Sequence, residues 1–349
     1  MKRFEIQGNT GQSMILVGET LENVKTYLPG TNPVIITDET VWSRYGNRFP
    51  TGEVIRIGTG ETIKILETVE RIYRRLVAVE ADRSTPILGI GGGIVCDITG
   101  FAASTYLRGV RFGFVSTTLL AQVDASVGGK NGVNFGGYKN MIGVFNQPDF
   151  VVCDLSLLAT LPESEIQCGF AEIIKHAAIA DTEMFRFLEA GVENALSLDG
   201  NVIERLVYDS VRIKSAIVNR DETEQGERRK LNFGHTFGHA MEKVAGIPHG
   251  RAVSAGMAVA AALSVEKGLL SEKDADRLCR LIQRFGLPTR IDIDPGKVLE
   301  ALGKDKKRSG DGIRFVLLSG LGNAVVEKIS FDELSKAWVR FNRENPYDN

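Results

Sequence analysis

Short apolar runs rich in β-branched and aromatic residues recur through the first half of the chain. Each is followed by a turn or a helical pattern. The runs are Val34-Ile35-Ile36-Thr37, Val54-Ile55-Arg56-Ile57, Pro86 to Ile90, Phe112 to Val115 and Phe150 to Cys153. Asp38 follows the first as a helix start, and over 62–79 Ile63, Leu66, Val69, Ile72 and Leu76 fall at helical spacing. Strands alternating with helices predict a parallel sheet covered by helices. From about residue 160 the period changes. Helical spacing dominates to about residue 285, Pro162 and Pro248 mark turns, and Gly286-Leu287-Pro288 ends the run. A short mixed tail follows, with one late apolar run from Ile313 to Leu318. The pattern predicts an α/β domain over 1–160 and a mainly α-helical domain over 161–349, with the active cleft between them.

Composition narrows the function. At 349 residues the chain can bury a substantial core in two domains. Lys and Arg number 42 against 44 Asp and Glu, so a general nucleic-acid binder is not expected. Cys96, Cys153, Cys168 and Cys279 are scattered without metal spacing and read as reduced core residues. Met-Lys-Arg-Phe-Glu opens the chain with no apolar signal core behind it. The apolar run from Ala252 to Val265 is too short to span a bilayer and reads as a buried helix. A cytoplasmic protein without a membrane partner is expected.

The chemistry concentrates in a few segments. The chain has four histidines, and His235, His239 and His249 lie close together. His235 and His239 stand four apart, which on a helix puts both rings on one face, able to address one metal or one substrate. An isolated pair of this kind is more often packed helix histidines; the neighbouring Arg-rich run and His249 favour a site. Gly91-Gly92-Gly93 follows a strand and precedes a helical run with Asp97 and Gly100, a turn that lets phosphate approach the backbone at a helix N-terminus. A second Gly-rich stretch, Ser126 to Tyr138 with Lys130 and then Lys139 and Asn140, reads as an anion-binding loop. Glu172 and Lys175 share a helix face, and Glu172 sits among Ala and Ile, where a buried carboxylate needs a cation or a metal. Lys214 lies on a helix. Glu224, Arg228 and Asn232, spaced by four, lead into the histidines and would share a helical face. Asp305-Lys306-Lys307-Arg308 forms a late basic cluster. Together these suit a small, multiply anionic substrate held near a divalent metal and a dinucleotide.

The ordered motifs carry a family likeness. They are Gly60-Glu61-x-x-Lys64, Gly91-Gly92-Gly93-x-x-x-Asp97-x-x-Gly100-Phe101, Thr105-Tyr106-x-Arg108-Gly109, Thr117 to Lys130, Lys139-Asn140-x-Ile142-Gly143, Leu161-Pro162, Ala171-Glu172-x-x-Lys175, the histidine stretch and Asp305-Lys306-Lys307. From about Asp38 to Gly322 the chain resembles the 3-dehydroquinate synthase family, within the sugar-phosphate cyclase group. The resemblance implies a Rossmann-like N-terminal domain and a dehydroquinate synthase-like helical C-terminal domain. It implies a metal, zinc or cobalt, on Glu172, His235 and His249, and gives His239 to the substrate instead. It implies NAD on the first domain, with Asp38, Gly60, Glu61 and Lys64 toward the adenosine, Gly92, Gly93 and Asp97 at the pyrophosphate, and Thr117, Thr118, Asp124, Lys130, Lys139 and Thr160 lining the rest. Lys130, Asn140, Lys175, Lys214, Glu224, Arg228, Asn232, His239, Lys306 and Lys307 would hold the phosphate and carboxylate of a sugar phosphate. Arg108 would reach a neighbouring subunit's site, which implies a homodimer. The implied reaction converts 3-deoxy-arabino-heptulosonate 7-phosphate to 3-dehydroquinate and phosphate, in aromatic amino acid biosynthesis.

Three positions depart from the family pattern. Arg251 stands where Glu often follows His-Gly, Tyr138 stands where Gly usually precedes Lys-Asn, and the segment from His239 to His249 is short. Rival readings are an inosose or valiolone synthase, a metal-dependent polyol dehydrogenase, and a non-catalytic metal- and nucleotide-binding module.

Overall fold

The computed structural model describes residues 1–8, 10–28, 30, 32–309, 312–344 and 347, with the side chains of 304–309 left out. The strands are β1 (Lys2–Gly8), β2 (Gly11–Val17), β3 (Val34–Asp38), β4 (Glu53–Ile57), β5 (Ile87–Gly91), β6 (Phe112–Ser116), β7 (Lys130–Phe135), β8 (Tyr138–Phe145), β9 (Phe150–Cys153), β10 (Ile313–Leu318) and β11 (Ala324–Ile329). The helices are α1 (Glu39–Tyr45), α2 (Leu66–Ala78), α3 (Gly93–Thr105), α4 (Glu163–Ala180), α5 (Thr182–Ala190), α6 (Val192–Leu196), α7 (Gly200–Arg220), α8 (His235–Ala245), α9 (His249–Glu266), α10 (Glu272–Arg284), α11 (Pro295–Ser309) and α12 (Phe331–Glu344). The chain forms two compact units. One comprises Met1–Leu161 and Ile203–Thr223, the other Pro162–Val202 and Glu224–Asn349. A single cut near residue 160 is therefore too simple: 203–223 belongs with the first unit.

The first unit is built on a seven-stranded sheet in the order β1-β2-β9-β6-β5-β3-β4. All neighbours pair in parallel except the edge pair β1 and β2. Strands β5, β6 and β9 are buried along their whole length. That is why they read as continuous apolar runs rather than alternating ones. Ile35, Leu88, Ile90, Val115 and Val152 share one core with Leu16, Leu21 and Leu157. α2 covers the sheet with Val69, Ile72 and Leu76. The chain runs from β3 out to β4 and returns to β5 on the other side of β3. The strand order therefore reverses between β3 and β5. Their carboxyl ends, Asp38 and Gly91, flank the crevice where open α/β sheets bind ligands.

The second unit is mainly helical. α9 is buried along most of its length, from Gly250 to Ser264, which explains its unbroken apolar sequence. Two glycines set how closely its neighbours approach. A Cβ on Gly250 would stand 2.4 Å from Cα of Cys168 in α4, and one on Gly256 would stand 1.9 Å from the carbonyl oxygen of Gly234. Any side chain at either position would push backbones apart. β10 and β11 form a separate antiparallel pair in this unit. Among the described residues no helix is long and apolar enough to cross a membrane. All four cysteines are free and buried.

Candidate active site

The second unit brings Glu172, His235 and His249 together, with one donor atom from each inside a 4.8 Å span. Glu172 comes from the buried middle of α4, His235 opens α8 and His249 opens α9. The contact of Gly250 with Cys168 sets the start of α9 against α4, one turn before Glu172. His249 Nε2 lies 3.3 Å from Glu172 Oε1, and His235 Nε2 lies 3.6 Å from the same oxygen. Donors about 2.0–2.1 Å from one tetrahedral ion stand roughly 3.3–3.4 Å apart, so the three side chains fit a divalent metal. Their ligand set, one carboxylate and two imidazoles, leaves positions for substrate oxygens.

The surrounding groups orient these donors. His235 Nδ1 meets the carbonyl of Phe233 at 3.1 Å, which turns Nε2 toward Glu172. His249 Nδ1 faces Glu242 Oε2 at 3.4 Å. Lys175, almost wholly buried, pairs with Glu172 Oε2. Burial, and then the Lys175 charge, holds His235 well below the ordinary histidine range, so it is neutral. Burial opposes a charge on His249 too, but Glu172 and Glu242 together outweigh it and raise its pKa to about 9.

His239 shares α8 with His235, their ring centroids 5.1 Å apart. It is exposed, and it also belongs to a second grouping with Glu242 and His249. The spacing of four therefore does not by itself select the ligand pair. Glu224, Arg228 and Asn232 do not share a helical face as expected. Glu224 has a left-handed backbone at φ 61, and a short 3-10 turn spans Glu227–Asn232. The turn still brings the Asn232 amide onto Glu224 Oε1, and Arg228 is buried. Arg251 is half-buried in the first turn of α9. The side chains of Lys306 and Lys307 lie outside the described residues.

In the first unit, the triple-glycine turn caps α3 at the β3–β5 crevice. A Cβ on Gly92 would lie 3.0 Å from Thr118 Cγ2, and one on Gly93 would lie 2.9 Å from Ala125 Cβ. The glycines thus keep the backbone open at a helix N-terminus, where N–H groups can meet a phosphate. Asp97, on the next turn, pairs with Lys64, and Lys64 Nζ also reaches Asn140 Oδ1 at 2.5 Å. Burial raises the Asp97 carboxyl and Lys64 opposes that rise. Asp38 caps α1 by accepting from Val41 N at 2.8 Å, and burial raises its pKa. Glu61 accepts from Asn134 at 2.7 Å and has Lys139 at 3.7 Å, with Gly60 just before it at φ 81. The backbone N–H of Thr117 donates to Gly91 O, and the Thr118 hydroxyl accepts from Ala121 N. Thr160 Oγ1 lies 2.6 Å from the Tyr45 hydroxyl.

The stretch expected as an anion-binding loop is a β-hairpin. Lys130 starts β7, and Lys139 and Asn140 lie on β8. Gly136 and Gly137, at φ 59 and 78, make the two-residue connection whose twist suits antiparallel strands. Asp124 sits in a single π-helical turn over Ala121–Ala125, where Lys214 donates to its carbonyl and to its Oδ1, each at 2.6 Å. Arg108 is exposed, on a loop where Leu107, Arg108 and Gly109 all have positive φ. Glu242 and Asn134 were not anticipated. Glu242 follows His239 by three, a helical neighbour spacing that could have flagged it.

Residues 54–168 match the family described as 3-dehydroquinate synthase N-terminal, and residues 169–308 the family described as 3-dehydroquinate synthase C-terminal. A 3-dehydroquinate synthase of Dehalococcoides mccartyi (strain CBDB1) is 44% identical over 322 residues, covering 89% of this chain and 90% of that protein. The structure of 2-epi-5-epi-valiolone synthase from Streptomyces hygroscopicus subsp. jinggangensis 5008, with NAD+ and Zn2+ bound, superposes with a TM-score of 0.88 at 27% identity, covering 97% of this chain and 98% of that one. A 2-deoxy-scyllo-inosose synthase complexed with carbaglucose-6-phosphate, NAD+ and Co2+ has a TM-score of 0.87 at 26% identity, over 97% and 99% of the two chains.

Proposed function

The chain belongs to the 3-dehydroquinate synthase family, and from that premise we propose how its residues convert 3-deoxy-D-arabino-heptulosonate 7-phosphate to 3-dehydroquinate and phosphate. When bound, NAD supplies a reversible hydride acceptor and a divalent metal, zinc or cobalt, supplies a Lewis acid. The observation that carries the reading is the meeting of Glu172, His235 and His249 around one point.

Glu172, His235 and His249 hold the metal. Lys175 neutralises the buried Glu172 carboxylate and keeps a cation beside the metal position. Gly60, Gly92, Gly93, Asp97, Asp38, Glu61, Lys64, Thr117, Thr118, Asp124, Lys139 and Thr160 make up the NAD site, supported by their grouping about the β3–β5 crevice and the β7–β8 hairpin. The reaction breaks a carbon–oxygen bond to phosphate and closes a carbocycle, so the enzyme is a lyase. Negative charge develops on an enolate and on the departing phosphate. Fixed cations stabilise both without reorganising. Lys130, Asn140, Lys214 and Arg108 in the first unit, and Lys175, Arg228, Asn232, His239, Lys306 and Lys307 in the second, supply the donors for the anionic groups, and Glu224 orients the Asn232 amide by accepting from it. Lys214 is held on Asp124, so its ammonium is positioned before substrate arrives. Arg108, exposed on its left-handed loop, serves the site of a second copy in a homodimer. Four buried, free cysteines suit a cytoplasmic setting.

Phosphate release from the heptulosonate phosphate, with and without NAD and with and without a chelator, tests the reading. Release that needs both cofactors, with no net NADH, is expected. Net NADH would indicate a polyol dehydrogenase instead. Equal turnover of a sugar phosphate lacking the carboxylate would indicate another cyclase.

A further inference from the structure

A cavity of about 660 Å³ in the second unit is lined by His235 and His239 and also by three cations with no role so far: Arg229, Arg314 and Lys328. The register of β10 and β11 sets Arg314 directly opposite Lys328. Opposed residues on an antiparallel pair leave the same face, and like charges there repel. Charges beside them in sequence find partners: Lys230 pairs with Glu227, and Glu327 pairs with Lys267. Among the described residues, none of the three forms an ion pair, and no described carboxylate lines the cavity. Gly312 leaves room for this arrangement, because a Cβ there would stand 2.9 Å from Lys328 Cγ and 3.0 Å from its Cε. The stem of Lys328 therefore lies across a bare backbone.

A repelling pair kept on the wall of a cavity that no described carboxylate lines has a use if an anion visits it. We infer that Arg229, Arg314 and Lys328 form an anion-capture site for a phosphate dianion, on the wall of the same cavity that Asn232, His235 and His239 line. The inference rests on the proposed reaction, which takes in a phosphate ester and releases inorganic phosphate, and either could be the visitor. Concave cationic walls raise local anion concentration and association rate, and salt screens the effect.

The double variant Arg314→Gln/Lys328→Gln tests this against Arg74→Gln/Lys336→Gln, which removes the same charge from exposed helix surfaces. Inorganic phosphate titrated calorimetrically into the full chain is expected to bind about tenfold more weakly to the first variant and unchanged to the control. A fall of about tenfold in kcat/KM at low salt with little change in kcat would assign the site to the incoming ester. A rise only in the product-inhibition constant of phosphate would assign it to the leaving group. Relief of the cross-strand like-charge repulsion is expected to raise the melting temperature of the double variant. Gly312→Ala keeps every charge but displaces Lys328, and is expected to lose part of the phosphate affinity. Unchanged phosphate binding, kcat/KM and product inhibition would overturn the inference, as would a melting temperature that falls with activity. If the unmodified chain releases no phosphate from the heptulosonate phosphate, the function reading fails, while the calorimetric titration still reads the site.

Discussion

His249 turns its Nδ1 toward Glu242, 3.4 Å from Oε2, and so fixes which ring nitrogen is left to face the metal position. A carboxylate behind a ligating imidazole sets its tautomer and raises its basicity. Glu242→Gln keeps the shape but weakens that support. Metal affinity is expected to fall about 10–100-fold, read by chelator competition. Unchanged affinity would assign Glu242 to packing alone.

Metal uptake is expected to depend on pH through His249. Its pKa is raised to about 9 by Glu172 and Glu242 against the cost of burial, so below that pH the metal-free ring carries a proton. A ligand must be neutral at the donating nitrogen, so metal displaces the proton. Affinity should rise with pH up to about 9, with about one proton released near pH 7.5. Calorimetry in buffers of different ionisation enthalpy measures the release. No buffer dependence would refute the assignment.

Gly250 sets the distance between α9 and α4. A Cβ there would lie 2.4 Å from Cα of Cys168, a backbone atom that no rotamer change can move. Gly250→Ala is expected to cost about 1–3 kcal/mol in stability and to lower metal occupancy by drawing His249 from Glu172. Denaturant unfolding and metal analysis check the two effects separately. Native stability with full occupancy would contradict the packing argument.

Lys64, itself buried, compensates the half-buried carboxylate of Asp97. Lys64→Met leaves Asp97 without its partner, at a cost of about 3 kcal/mol when Asp97 is ionised. Asp97 already has a raised pKa through burial. A carboxyl raised in the folded state supports folding at low pH and loses that support as pH rises through its folded pKa. The variant should therefore lose more stability at pH 8 than at pH 5. The opposite slope would show that Lys64 acts elsewhere.

The parallel strands were legible because burial on both faces makes them read as solid apolar runs, as in Phe150 to Cys153. β1 was not, since Ile6 is its only buried residue and the rest reads as surface. Gly136-Gly137 is a hairpin signal, but the glycines around it made the segment look like a loop. The return of 203–223 to the first unit leaves no mark in the sequence, because α7 runs unbroken through the boundary at residue 203. Glu172 could be read as a buried acid from its Ala and Ile neighbours. Its meeting with His235 and His249 could not be read from spacing. Local sequence does not state that Gly250 lets α9 touch α4, and that contact sets His249 against Glu172.

Metal content of purified Glu172→Ala, His235→Ala, His249→Ala and His239→Ala proteins tests the central claim most directly. The first three are expected to retain no stoichiometric metal while remaining folded, and His239→Ala to keep it but turn over slowly. Full occupancy in any of the first three, or loss of metal in the His239 variant alone, would contradict the account.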